Sequence, residues 1–260
     1  MLWCLWTPLH AAESLAGDLD EARARWIGER IFANECNLNV RCLTSWNAGE
    51  DFPSLGIGHF IWYREGQQER FRESFPELLR YYESRGVMLP DWLRTMTPRD
   101  QPWPDREAFL ADLDGPQLSG LRTFLDETRD VQARFIIRRL QRALPSISAH
   151  SEEPAAVESL FRRVAAARPP LGLYALIDYV NFKGEGVAAG ERYRGQGWGL
   201  LQVLEYMHDN PSPSPVLQRF SEAAAAVLAR RVENAPPERG ESRWLAGWNN
   251  RVETYWPEGD

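Results

Sequence analysis

Glu35 sits in Asn34-Glu35-Cys36, at the finish of a helical pattern, and nineteen residues later the chain reads Ser54-Leu-Gly-Ile-Gly-His59. A carboxyl at a helix C-terminus faces the negative end of the macrodipole, and apolar neighbours strip it of water. Both effects favour the protonated form, which is what a general acid needs. Trp26, Ile31 and Phe32 supply such neighbours on the same helix. The bland alternative for Glu35 is a solvated carboxylate at a fraying helix end. In the second segment, Gly56 and Gly58 lack the Cβ that would keep a ligand or another backbone at a distance. Just before it, Glu50 and Asp51 place two carboxylates in a turn, and the Ser54 hydroxyl could hold a water. Cleaving a sugar bond with inversion requires an acid on one face and a base-held water on the other, the two carboxyls roughly 6.5 to 9.5 Å apart. A helix end facing a hairpin can provide that gap.

The elements that must position these groups follow from periodicity. Asp18 to Glu35 carries Leu19, Trp26, Ile27, Ile31 and Phe32 on one side and charged residues on the other, the pattern of an amphipathic helix. Leu43 to Tyr63 has turn signals at Asn47-Ala-Gly49 and Phe52-Pro53, then an aromatic and branched run, and reads as a short hairpin. The remainder predicts helices over Gln67 to Arg85, Pro90 to Met96, Asp105 to Leu113, Pro116 to Leu125, Asp130 to Leu144, Glu153 to Ala167, Leu171 to Lys183, Trp198 to Met207, Pro215 to Glu233 and Ser242 to Tyr255. The expected class is α+β, predominantly α-helical, with one small sheet near the N-terminus. Pro98 to Pro104 and Asn210 to Pro215 read as connectors within a single domain rather than as domain boundaries.

Composition narrows the function classes. A chain of 260 residues with 43% hydrophobic content can bury a sizeable core. The net charge of -7 and the lack of a basic block argue against a nucleic-acid surface, which needs clustered positive charge. Basic residues are almost all arginine, with Lys183 the only lysine, a bias typical of GC-rich coding sequence. Residues 1 to 12 are apolar but too short for a membrane span; they read either as the tail of a secretory signal or as an N-terminal arm. No other segment has the roughly 20 apolar residues a membrane helix requires.

Cys36 and Cys42 enclose five residues, so they read either as a small-loop disulfide in an oxidising compartment or as two reduced thiols. With no Cys-x-x-Cys pair and only His10, His59, His150 and His208 as imidazoles, no zinc site of standard spacing is expected, and no cofactor is implied.

Glu35 followed by Ser54-Leu-Gly-Ile-Gly-His59 resembles the phage-type lysozymes, in which a helix ends in the acid glutamate and a hairpin carries Thr-Ile-Gly-Ile/Tyr-Gly-His. A second run, Ala175-Leu-Ile-Asp-Tyr-Val-Asn-Phe-Lys-Gly-Glu-Gly186, is similar to the helix that crosses the core of that family. The resemblance implies a lysozyme-like two-lobed fold and cleavage of β-1,4 bonds in peptidoglycan, with chitin or chitosan as alternative polymers. It implies a bacterial periplasmic or secreted location. Glu35 would be the general acid, Ser54 would take the threonine position that contacts the catalytic water, and His59 would brace the hairpin. The chain departs from the pattern where the family has an aspartate six residues before the threonine, a place held here by Ala48. The second carboxylate is then Asp51, with Glu50 as the alternative. The long interval from His59 to Ala175 predicts a helical insertion around residues 64–170, with further helices at residues 213–256.

A competing constellation lies later. Glu185 ends a helical pattern, and Gly199-Leu-Leu-Gln202 follows fourteen residues on, which resembles the lytic transglycosylase signature with Gly186 in place of its serine. That chemistry uses one acid/base and no paired carboxylate. Its bland alternative is a carboxylate capping the loop with Arg192 or Arg194. Among the 11 tryptophans, Trp46, Trp62 and Trp198 neighbour the motifs and are candidates for stacking on sugars, with Tyr193 and Gln202 as polar contacts. A lysozyme-type scaffold that binds cell wall without turnover is the remaining reading of a different class.

Overall fold

Asp20 opens the first helix by accepting the Arg23 backbone N–H at 2.7 Å, the usual device for satisfying a helix N-terminus. In this computed structural model, which describes residues 19–69 and 71–257, helix α1 spans Glu21–Cys36. It stops where Asn37 turns left-handed (φ 47°) and donates its N–H to the Ala33 carbonyl. Ala24, Ile27, Gly28, Ile31 and Phe32 form its buried face. The N-terminal segment read as a signal tail or arm, with Cys4 and His10, lies outside the described residues.

The described residues are mostly helical, with two small antiparallel sheets, an α+β protein dominated by helices. They divide into two compact units, residues 20–136 and residues 137 onward. In the first unit α1 leads through a 3-10 turn, Val40–Leu43, into three strands: β1 (Thr44–Ser45), β2 (Ser54–Leu55) and β3 (Phe60–Ile61). They pair antiparallel in that order, with Ser45 opposite Ser54 and Leu55 opposite Phe60. Helices α2 (Phe75–Ser84), α3 (Asp91–Thr95), α4 (Arg106–Ala111) and α5 (Pro116–Glu127) follow, and α6 (Arg129–Ser148) begins in the first unit and ends in the second.

The helix expected from Gln67 starts only at Phe75. The preceding residues are held against β3 instead: the Glu73 carboxylate accepts the Tyr63 N–H at 2.7 Å, and the Tyr63 hydroxyl donates to the Phe71 carbonyl at 2.7 Å. Pro76, in the first helical turn, suits the late start.

The turn between β2 and β3 depends on a distant side chain. Gln132 Oε1 accepts the Ile57 N–H at 2.9 Å and its Nε2 donates to the Leu125 carbonyl at 2.6 Å. A Cβ on Gly56 would collide with Gln132 Oε1, and Gly56 has φ 68°. The space left by this glycine is therefore filled by a buried glutamine, not by a ligand. Gly56→Ala is expected to lose about 1 to 3 kcal/mol, read as a lower urea midpoint with an unchanged slope.

The second unit contains α7 (Pro154–Ala165), α8 (Leu171–Lys183), a ribbon of β4 (Arg192–Tyr193) and β5 (Gln196–Gly197), α9 (Leu200–Asp209), α10 (Val216–Asn234) and α11 (Ser242–Glu253). The ribbon was not expected. Its connecting residues Arg194 (φ 50°) and Gly195 (φ 79°) are both left-handed, the conformation that closes a two-residue hairpin. Helix α7 packs on α8 and α9, and α10 packs on both α9 and α11. The central α8 is buried from Leu171 through Tyr179, as a helix apolar on all sides should be.

Lys183 ends α8 with its Nζ 3.4 Å from the Trp248 ring centroid and 3.9 Å from that of Phe182. The ring faces attract the ammonium. Burial, followed by repulsion from Arg231 and Arg251 against the opposing pull of Glu241, nevertheless pushes its pKa down to about 6. Between that value and the ordinary 10.5, the unfolded chain holds a proton that the folded chain lacks. Stability should therefore rise with pH across this window and be lowest at its acid end, where the lysine is charged in both states. Lys183→Met is expected to flatten this slope, as urea denaturation at several pH values would show.

Candidate active site

Helix α1 delivers Glu35 in its last turn, and the β2–β3 turn delivers His59. Glu35 Oε2 lies 3.8 Å from His59 Nε2, and the two side chains are 19% and 37% exposed. The glutamate is thus mostly enclosed, with an imidazole from the glycine-rich turn close by. His59 adopts φ 46°, and its Nε2 is buried without a hydrogen-bond partner. The separation is too long for a hydrogen bond.

Immediately after Glu35, Cys36 is disulfide-bonded to Cys42, with their Cα atoms 5.4 Å apart. Cys42 Sγ lies 3.6 Å from the Glu35 carbonyl oxygen. The bridge ties the end of α1 to the 3-10 turn that leads into β1, so it holds the Glu35 backbone against the sheet. One atom each from Cys36 (Sγ), Cys42 (Sγ) and the His59 imidazole falls within 4.8 Å of the others, although with the bridge closed the two sulfurs are bonded to each other rather than free as ligands. The sequence carries no sign of this proximity, since His59 stands seventeen residues beyond Cys42, outside any standard zinc spacing.

The other expected residues separate into distinct environments. Ser54 lies in β2, only 6% exposed, and its carbonyl accepts the Ser45 hydroxyl at 3.2 Å. The Glu50 carboxylate accepts Asn47 Nδ2 at 3.1 Å, whereas Asp51 is exposed and offers its backbone carbonyl to Gln67 Nε2. Trp62 is fully buried: its indole N–H donates to the Arg99 carbonyl, and Phe75, Trp92 and Trp103 surround its ring. Trp46 is nearly as enclosed, with its N–H on the Glu50 carbonyl and its ring edge-on to Phe109. Neither indole has a face left for a sugar, because aromatic packing in the core has taken both. Their expected stacking role is corrected to a structural one.

In the second unit, Trp198 is likewise buried, with the Arg231 guanidinium 4.0 Å above its ring and Tyr193 beside it. Tyr193 donates its hydroxyl to buried Glu241, which also pairs with Arg231. The Glu185-Gly186 backbone lies directly on the start of α9: Leu201 N–H donates to the Glu185 carbonyl at 3.0 Å, and Gln202 Nε2 to the Gly186 carbonyl at 3.2 Å. Only glycine fits at Gly199, where a Cβ would run into the Gly186 backbone. The carboxylate that caps this loop is Glu191, which accepts the Gly186 N–H at 2.6 Å, while Arg192 reaches the Gly186 carbonyl.

Gln202 also lines a cavity of about 270 Å³ with Arg192, Glu205, Asp209 and Arg230. Burial, then repulsion from Asp209, raises the Glu205 pKa, although Ser151, Arg192 and Arg230 act in the opposite sense. Glu205, Tyr206 and Asp209 follow Gln202 at helical spacing on one face of α9, a pattern visible in the sequence itself. No family model, curated protein or solved structure matches the chain.

Proposed function

We propose that this chain is a peptidoglycan-active glycosidase of lysozyme type, cleaving β-1,4 glycan bonds with Glu35 as general acid. The observation that carries the reading is the enclosed Glu35 carboxyl at the end of α1, 3.8 Å from His59 on the glycine-rich turn. An enclosed carboxyl beside a glycine-rich turn suits proton donation to a leaving glycosidic oxygen. All the groups this chemistry needs lie within residues 20–136. Asp51 is the better base for the attacking water than Glu50, because it is exposed while the Glu50 carboxylate is engaged by Asn47. The Ser54 hydroxyl on β2 assists in holding that water. The disulfide next to Glu35 supports an oxidising location, the bacterial periplasm or exterior.

A second reading is favoured by the packing of Glu185-Gly186 on Gly199–Gln202 beside a polar cavity. There Glu185 would act alone as acid/base in a lytic transglycosylase reaction, with Gln202 orienting the glycan. Digestion of purified murein followed by analysis of the fragments tests both: reducing ends mark hydrolysis, and 1,6-anhydro ends mark transglycosylation. Intact murein after prolonged incubation, with chitin and chitosan also untouched, would end the enzymatic proposal and leave a wall-binding scaffold.

A further inference from the structure

We propose that reduction of the Cys36–Cys42 bridge converts this corner of the first unit into a zinc site built from the two thiolates, the His59 imidazole and the Glu35 carboxylate. Three observations carry it. Sulfur and imidazole donors from Cys36, Cys42 and His59 already lie within 4.8 Å of one another. His59 Nε2 is buried and makes no hydrogen bond. Glu35 Oε2 sits 3.8 Å from that same nitrogen, so an ion drawn to the imidazole meets a carboxylate at once.

The donor set matches the metal. Zinc takes four ligands from thiolate, imidazole and carboxylate in tetrahedral array, with Zn–S near 2.3 Å and Zn–N near 2.0 Å, which spaces the donors roughly 3.5 to 3.8 Å apart. The sulfurs must part from bonding distance, and a Cα separation of 5.4 Å allows this by side-chain rotation. Cys42 is only partly buried and lies in the 3-10 turn Val40–Leu43, outside α1.

The chemistry balances with a dithiol as reductant. The dithiol gives two electrons and two protons to the bridge and leaves as its own disulfide, producing two thiols. Zinc then displaces both thiol protons to solvent as the two Zn–S bonds form. While the bridge is closed the sulfurs are not available as thiolates, so thiol state selects whether the site exists. If Glu35 is the general acid, zinc in the reduced chain would also withdraw it from catalysis. That consequence rests on the glycosidase reading, whereas the binding itself does not.

The test titrates the full chain with zinc against a chromophoric chelator, in the oxidised form and after dithiol reduction and anaerobic desalting. The reduced chain should take up one equivalent, and the oxidised chain should bind at least 100-fold more weakly. His59→Asn, chosen because asparagine tolerates positive φ, should cost the reduced chain tenfold or more in affinity, since even outer partners of a metal site cost 10- to 100-fold. Cobalt added to the reduced parent should give a thiolate charge-transfer band that disappears in Cys42→Ser. The proposal falls if the reduced parent binds no stoichiometric zinc, if cobalt gives no such band, or if folded His59→Asn binds as tightly as the parent.

Discussion

A Glu35→Gln chain should clear murein suspensions about 10²- to 10⁴-fold more slowly than the parent, the range a general acid contributes. Glutamine has the same shape and can occupy the same enclosed position at the end of α1, but it has no proton to give. The loss should therefore fall on kcat, with KM little changed, because the side chain acts on the leaving oxygen rather than on ground-state binding. Far-UV circular dichroism and the thermal midpoint of the variant would verify that α1 and the sheet survive. His59→Asn is expected to lower the rate less, since His59 lies beside the carboxylate without bonding to it. A Glu35→Gln rate within twofold of the parent would remove this residue from the mechanism. Loss of activity in Glu185→Gln alone would transfer the chemistry to the second unit.

Arg251→Ala should destabilise the second unit by about 3 to 5 kcal/mol, as breaking a buried ion pair on one side does. Asp178 lies on the core helix α8 with a side chain that is 0% exposed, and Arg251 meets it with two nitrogens, each at 2.8 Å. The Tyr255 hydroxyl completes the cluster at 2.7 Å. Removing the guanidinium leaves the buried carboxylate without its charged partner, and also removes the group stacked 4.3 Å from the Phe182 ring. The triple variant Asp178→Leu, Arg251→Met, Tyr255→Phe should recover most of the loss, because apolar groups of similar volume leave neither a buried charge nor an orphaned hydroxyl. Urea denaturation of the three chains checks this. An Arg251→Ala midpoint equal to that of the parent would mean that the pair is hydrated in solution.

Much of the helical frame was legible because local chemistry decides it. Helix α8 has the expected bounds, Leu171–Lys183, since Pro170 and Gly184 flank an unbroken apolar run. The glutamate in the last turn of α1 was legible from helical periodicity, and the turn that carries His59 from its glycines. The segment before Phe75 could not be read correctly. Its composition favours a helix, but Glu73 takes the Tyr63 N–H and Ser74 bonds Ile61 of β3, which holds the residues just before Phe75 at the sheet instead. Cross-chain bonds of this kind leave no periodic trace in the sequence.

The tertiary structure also decided which chemistry-bearing side chains remain available. Trp46 and Trp62 have the same aromatic faces whether exposed or enclosed, and the core packing of Phe75, Trp103 and Phe109 claimed them. The gap opened by Gly56 went to Gln132, seventy-six residues away in the chain. The sequence by itself determined the helices, their order and the residue types at each end, because propensity, capping and periodicity act over a few residues. Burial and the meeting of Cys36, Cys42, Glu35 and His59 at one corner depended on contacts between distant segments, and those are set by how the whole core closes.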